Sequence, residues 1–300
     1  MNPVRENAEY LLTKGFFTLL RFCPAPLIYG LCRLVAILFY ALAAKRRKIT
    51  LRNLTIAFPD RPAKEKVKIA RKAYDHFGQM IAESAMVLSG KINRDKLIEM
   101  VDGGEMPRLL ELEKNSDKGI LAITGHLGNF ELMSHYTGTQ SVRQGNVVAR
   151  KGTNKLIDDR IVTPMRESFG NHVIYKHRAL PNVARALKRG EHVGLLIDIK
   201  SNAKEGVPVT FFGKETVAIK SSAYLQIKLN PLVVPIAMIR TAPRRYKLVA
   251  GDPIAWSDNG KPLEEQIAEL TQIHQAALEK LIRETPEQWL WMHNRWSIRS

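Results

Sequence analysis

Short apolar runs bounded by turn residues recur through the middle of the chain: GILAIT at 119–124, NVVAR ending at 150, NHVIY at 171–175 and HVGLLID at 192–198. Each is too short for a helix and rich in aliphatic or β-branched residues, so each reads as a strand buried on both faces. Helical spacing fills the gaps, from Asn129 onward and over 154–169 and 180–188. Further along, 216–229 reads as a helix, 232–239 as a strand and 246–250 as its antiparallel partner. A long amphipathic helix is predicted at 263–283. The alternation predicts an α/β fold, with a mostly parallel central sheet flanked by helices.

The first 115 residues carry a different pattern. Val67, Ala70, Tyr74, Phe77, Met80 and Ile81 recur at helical spacing, predicting one helix over 63–90 that Gly90 ends. Short helices follow at 94–99 and 106–113. Upstream, residues 24–43 (PAPLIYGLCRLVAILFYALA) carry a single charge, Arg33. At ~1.5 Å per residue this stretch just matches a hydrocarbon core, but a charge near its middle is costly without a partner. With LLTKGFFTLLRF before it, the pattern reads as amphipathic helices lying in the membrane interface. One true span and burial within the protein are the other two readings. The run does not follow the layout of a cleaved signal peptide. The expected organisation is a membrane-associated helical segment, 1–44, and an α/β domain, 45–300.

Composition strengthens the membrane reading. At 300 residues, 45% hydrophobic and 25% charged, the chain is ordinary globular protein, which excludes disordered, collagenous and multi-span classes. The charge is not ordinary: 46 Lys and Arg less 29 Asp and Glu gives +17. Eleven of those cations fall within 43–72, against Asp60 and Glu65. Basic groups beside an apolar anchor gain from anionic headgroups and place the flank on the cytoplasmic side. A nucleic-acid surface usually interleaves exposed aromatics or presents a reading helix, and neither is seen, so no nucleic-acid partner is expected. Cys23 and Cys32 form no disulfide framework and suit a reducing compartment. No Asp-rich or Cys/His cluster calls for a metal or redox cofactor.

Candidate chemistry concentrates in Thr124-Gly125-His126-Leu127-Gly128-Asn129-Phe130-Glu131. This polar, glycine-bearing turn follows a predicted buried strand, at the edge where open α/β sheets hold their ligands. If the chain folds back at Gly128, Glu131 accepts the Nδ1 proton of His126 and leaves Nε2 to take a proton from a hydroxyl. Main-chain N–H groups near Gly128 and Asn129 are candidate donors to an anion. No serine or cysteine lies in the run, which favours direct attack by a substrate hydroxyl over a covalent intermediate. A helix-capping histidine with a solvated glutamate is the other reading of the same residues. Asp198 ends a predicted strand on the same side of the sheet, as a site group or as a cap of main-chain N–H groups.

The run TGHLGNFEL resembles the first block of the lipid A biosynthesis acyltransferases, which are related to the glycerophosphate and lysophospholipid acyltransferases with their His-x4-Asp/Glu motif. The resemblance continues through RRKITLRNLTIAFPD, VVARKGTN, RESFGNHVI, NVARALKRGEHVGLLIDIK, EGVPVTFFGKETVA and PEQWLWMHNRW, almost the whole chain. It implies a glycerolipid acyltransferase-like fold with His126 as general base and Glu131 as its orienting carboxylate. It also implies transfer of a fatty acyl group from an acyl-carrier-protein thioester to a hydroxyl of a membrane glycolipid, at the cytoplasmic face of the inner membrane. Acyl-CoA as donor, and a glycerophospholipid or phosphoinositide mannoside as acceptor, are the alternatives. Gly128, Asn129, Arg150, Arg166 and Asp198 are the implied substrate-binding positions, the two arginines as phosphate contacts. Many relatives read Asp-Gln where this chain has Asp198-Ile199, which removes a polar group beside the aspartate. The resemblance implies a loop at 206–213, within EGVPVTFFG, whose Phe211 and Phe212 are expected to line an acyl channel or to be core, and the Trp289–Trp296 tail is expected to meet the membrane or to close the core.

Overall fold

A computed structural model describes residues 3–176, 179–202 and 204–296. Its centre is a seven-stranded sheet of order β1-β9-β8-β2-β5-β3-β4. The strands are β1 (Val101–Asp102), β2 (Ile120–Thr124), β3 (Gly145–Ala149), β4 (Asn171–Tyr175), β5 (His192–Leu196), β8 (Leu232–Ala242) and β9 (Arg245–Ala250). β8, β2, β5, β3 and β4 run parallel, and β9 folds back antiparallel on β8. The α/β fold and the antiparallel closing strand are as the pattern predicts. β6 (Gly206–Phe211) and β7 (Lys214–Ile219) form a separate antiparallel hairpin.

Both faces of the sheet are covered, because successive side chains along a buried strand point to opposite cores. Leu121 and Ile123 of β2, with Val233 and Ala237 of β8, face one core. Ile120 of β2, with Val234, Ile236 and Met238, faces the other. The helices are α1 (Pro3–Leu20), α2 (Ala25–Leu42), α3 (Ala44–Ala57), α4 (Ala63–Leu88), α5 (Arg94–Met100), α6 (Met106–Lys114) and α7 (Phe130–Gln140). After them come α8 (Lys155–Ile157), α9 (Thr163–Glu167), α10 (Ala179–Lys188), α11 (Ser221–Leu229) and α12 (Leu263–Glu284). α4 belongs to both cores, through Ile69, Ala70 and Ala73 on one side and Ala82, Met86 and Val87 on the other. It therefore crosses over the end of the sheet.

α2 is the one helix among the described residues long and apolar enough to cross a membrane, with a mean hydropathy of 1.9. Its inner face (Ile28, Tyr29, Ala36) lies on α4, and Gly78 lets the two backbones close: a Cβ there would fall 2.9 Å from the Cys32 carbonyl oxygen. Arg33 finds the partner its position requires, Asp75 of α4 at 2.6 Å. Leu27, Leu31, Leu34, Val35 and Leu38 remain exposed on the outer face, an apolar surface of the kind that marks a membrane or partner contact.

The predicted helix at 154–169 runs without a break over 155–167, as α8, a π turn at Asp158–Val162 and α9, with Pro164 in the first turn of α9. Two expected elements differ. The predicted loop at 206–213 is β6 and the turn of the hairpin. Its Val207, Val209 and Phe211 alternate inward, and Phe212 (φ 52°) and Gly213 (φ 70°) make the reversal. The start of the predicted 216–229 helix is β7, and α11 begins only at Ser221.

Candidate active site

His126 and Asp198 come from adjacent parallel strands. β2 and β5 pair through Thr124 and Leu196, and the Ile197 N–H then donates to the Thr124 carbonyl at 2.9 Å. Both chains pass the sheet's carboxyl edge side by side. Gly125 permits the approach, since a Cβ there would sit 3.0 Å from the Asp198 carboxylate.

Asp198 is buried, 2% exposed, with three donors converging on it. Oδ1 accepts from His126 Nδ1 at 2.9 Å, and Oδ2 accepts the His126 main-chain N–H at 2.7 Å and the Trp289 indole N–H at 2.9 Å. Burial opposes its charge, but the imidazole and these hydrogen bonds outweigh burial and hold its pKa at about 2. Burial likewise opposes a charged His126, yet the Asp198 carboxylate, with Glu131 further off, raises the imidazole above its ordinary value. With Nδ1–H fixed on Asp198, Nε2 is the basic nitrogen. His126 lines a narrow cleft under α4 together with His76, Phe77, Met80, Phe130 and Leu290. Burial, then the nearby Arg240, lowers the pKa of His76 to about 4, so it is neutral.

The carboxylate on the imidazole is therefore Asp198, not Glu131 as expected. Asn129 caps α7, its side chain accepting the Leu132 N–H at 3.0 Å, and this places Glu131 in the first helical turn, directed to Arg166. Arg166 Nη2 donates to Glu131 Oε1 at 2.8 Å and Nε to Oε2 at 3.4 Å. Arg166 thus comes from α9 to the site already paired.

Gly128 and Asn129 are interior. Gly128 has φ +59° and a Cβ there would fall 1.9 Å from the Met238 carbonyl oxygen, so only glycine fits. Its N–H donates to Gln288 O at 2.9 Å and that of Asn129 to Met238 O at 2.8 Å. Both expected anion donors are engaged. The Asn129 side chain also donates to Glu83 Oε2 at 2.8 Å, a fully buried carboxylate that Arg240 grips at 2.7 and 2.9 Å and Tyr29 of α2 reaches at 2.9 Å. Arg150 is exposed just after β3, on the same rim of the sheet.

Trp289 and Glu83 are the site groups that local sequence spacing does not expose. Phe211, Phe212, Trp289, Trp291 and Trp296 pack as one buried aromatic cluster, so the tail closes the core. Asn53, in the Arg/Asn-rich stretch, ties that tail down by donating to the carbonyls of Trp291 (2.8 Å) and His293 (2.7 Å).

A histidine held by a buried carboxylate in the strand-end crevice of a parallel sheet is the geometry of an acid–base enzyme. The profile of the bacterial lipid A biosynthesis acyltransferases matches residues 4–297, and the chain belongs to that family. It is an acyltransferase of the lipid A biosynthesis type, associated with the membrane. It is similar to the lipid A biosynthesis lauroyltransferase of Escherichia coli K12, 26% identical over 92% of this chain and 87% of that protein. The palmitoleoyltransferase of the same organism is 24% identical over 85% of this chain and 80% of its own. A lipid A biosynthesis acyltransferase of Haemophilus influenzae is 26% identical over 85% and 78%.

Proposed function

We propose that this enzyme transfers a fatty acyl group from an acyl-carrier-protein thioester to a hydroxyl of a lipid A precursor, at the cytoplasmic face of the inner membrane. The observation that carries the chemistry is the His126 imidazole fixed through Nδ1 on ionised Asp198. Nε2 removes the acceptor hydroxyl proton as the oxygen attacks the thioester carbonyl. The C–O bond forms, the tetrahedral intermediate collapses, the C–S bond breaks, and the leaving thiolate regains the proton from His126. Glu131 is a catalytic residue in this reading, adding negative charge beside the imidazolium and holding Arg166. Arg150 and Arg166 serve the phosphates of acceptor or carrier arm. Gly128 and Asn129 shape the site from within. Residues 1–44 form the membrane element, and the basic 43–72 flank meets the anionic leaflet and the acidic carrier.

The test incubates the purified full-length protein in detergent with acyl carrier protein or CoA thioesters and either a lipid A precursor or a lysophospholipid. Product mass spectrometry should show one added acyl chain on the lipid A precursor, fastest from the carrier protein. Acylation of the lysophospholipid alone overturns the acceptor. Equal rates from CoA overturn the donor.

A further inference from the structure

α1 is fastened to the body near its two ends, with the Tyr10 ring beneath Arg160 between them. Near its start, Glu6 and Glu9 hold Asn154 and the Lys155 N–H at 2.8 to 3.1 Å. Near its end, Leu20 packs against the core cluster that contains Val87 and Phe169. Between these fastenings a groove remains open, with Phe17, Val87, Ile92, Ile161, Met165 and Phe169 among its lining. Its cations stand on opposite walls: Lys14 and Arg21 on α1, Arg94 and Arg160 on the body. Arg94 donates only to the Thr139 carbonyl (2.8 Å), and Arg160 lies over the Tyr10 ring at 5.5 Å. No carboxylate lines the groove among the described residues.

Four positive charges facing each other across an apolar trough repel one another and are complementary to an amphiphilic anion. The outer face of α1 and the turn after it point to its source: Leu12 is 75% exposed, Leu19 70% and Phe22, in the turn, 83%, a surface suited to a bilayer. We propose that this groove is a binding site for the headgroup and upper acyl chain of an anionic bilayer phospholipid. The phosphodiester lies between Lys14, Arg21, Arg94 and Arg160, and the hydrocarbon lies along Phe17, Ile161 and Met165. The lipid fills the gap beneath α1 and completes its seat on the body. The site is distinct from the His126 cleft, with which it shares no lining residue. Its position is nonetheless informative, because α9 supplies Met165 to the groove and Arg166 to Glu131.

The test uses full-length protein in neutral detergent, titrated with phosphatidylglycerol or with phosphatidylcholine of the same chains and followed by native mass spectrometry. One phosphatidylglycerol should be retained in preference to phosphatidylcholine. Arg94→Gln/Arg160→Gln should weaken its retention by roughly ten- to thirtyfold, the loss expected for two cations near an anionic headgroup. Lys14→Gln/Arg21→Gln, on the opposite and exposed wall, should do the same without touching the folded body. Lys188→Gln/Lys214→Gln, exposed on α10 and β7 outside both the groove and the basic flank, should leave retention unchanged. Equal retention of both lipids, or equal loss in the α10/β7 control, overturns the proposal. So does displacement of phosphatidylglycerol by an equimolar lipid A precursor, which would assign the groove to the acceptor instead. None of these readings requires acyl transfer, so they stand apart from the donor and acceptor assignments.

Discussion

Two carboxylates stand near His126 and live in different surroundings. Asp198 is 2% exposed, meets three donors, and arrives from a neighbouring strand 72 residues further on. Glu131 is 22% exposed, five residues on in the same turn and helix, and faces a single guanidinium. Asp198 is fixed: moving it would strand a buried indole N–H and a main-chain N–H. Glu131 is held by the part-exposed Arg166 guanidinium. Nearness in sequence marks the carboxylate at the rim, and nearness in the sheet marks the one that holds the imidazole.

The contrast breaks first at the base they share. His126→Ala should lower transfer by ~10²–10⁴-fold with the circular dichroism spectrum unchanged, the usual worth of a general base. Activity near that of the wild type would remove His126 from the mechanism. Asp198→Ala should lose activity on a similar scale and also stability, ~1–3 kcal/mol for each buried donor left without a partner, measured by denaturant unfolding. Glu131→Gln should cost ~10–10²-fold in kcat/KM, through loss of a negative charge near the imidazolium, with little change in the unfolding midpoint. Equal destabilisation by the two would erase the distinction.

The pH profile sharpens it further. His126 must be unprotonated to act, and Asp198 raises its pKa, so the acid limb of kcat/KM should lie above the ordinary imidazole value. Asp198→Asn removes that charge and leaves burial, so the limb should move to lower pH; Glu131→Gln should move it less. Asp198 itself has a depressed pKa of about 2, so its stabilising contribution is complete above its ordinary titration range and is lost as pH falls through about 2. The smallest effect expected is at Arg150, exposed on the rim: Arg150→Ala should leave stability within ~0.5 kcal/mol, while any loss of rate reports contact with substrate.

The parallel strands were legible because strands buried on both faces are written as unbroken apolar runs, and GILAIT and HVGLLID coincide with β2 and β5 to within a residue or two. The hairpin was not, although Val207, Val209 and Phe211 alternate as a half-buried strand should. Gly206, Pro208 and Gly213 carry turn signals that mask the period. The π turn at Asp158–Val162 keeps helical spacing on both sides and leaves no mark in the pattern. At the site, His126 could be read from its glycine-bearing turn, but its partner could not be read from spacing. Glu131 is the acid closest along the chain, and Asn129, by capping α7, directs it to Arg166. The available signal was the pair of strands that each end in a polar residue, His126 after one and Asp198 after the other. Trp289 lies further out of reach, since only tertiary packing brings an indole from the tail to that carboxylate.

The Trp289 contact also sets a timetable. A ribosome finishes α2 some 250 codons before it reaches that tryptophan, an interval of roughly 12–50 s at ordinary elongation rates. Throughout that time the nascent chain already exposes its bilayer-seeking helices, while the indole that donates to Asp198 has yet to be made. The exposed outer face of α2 is thus available to a membrane before the His126–Asp198–Trp289 arrangement can be completed.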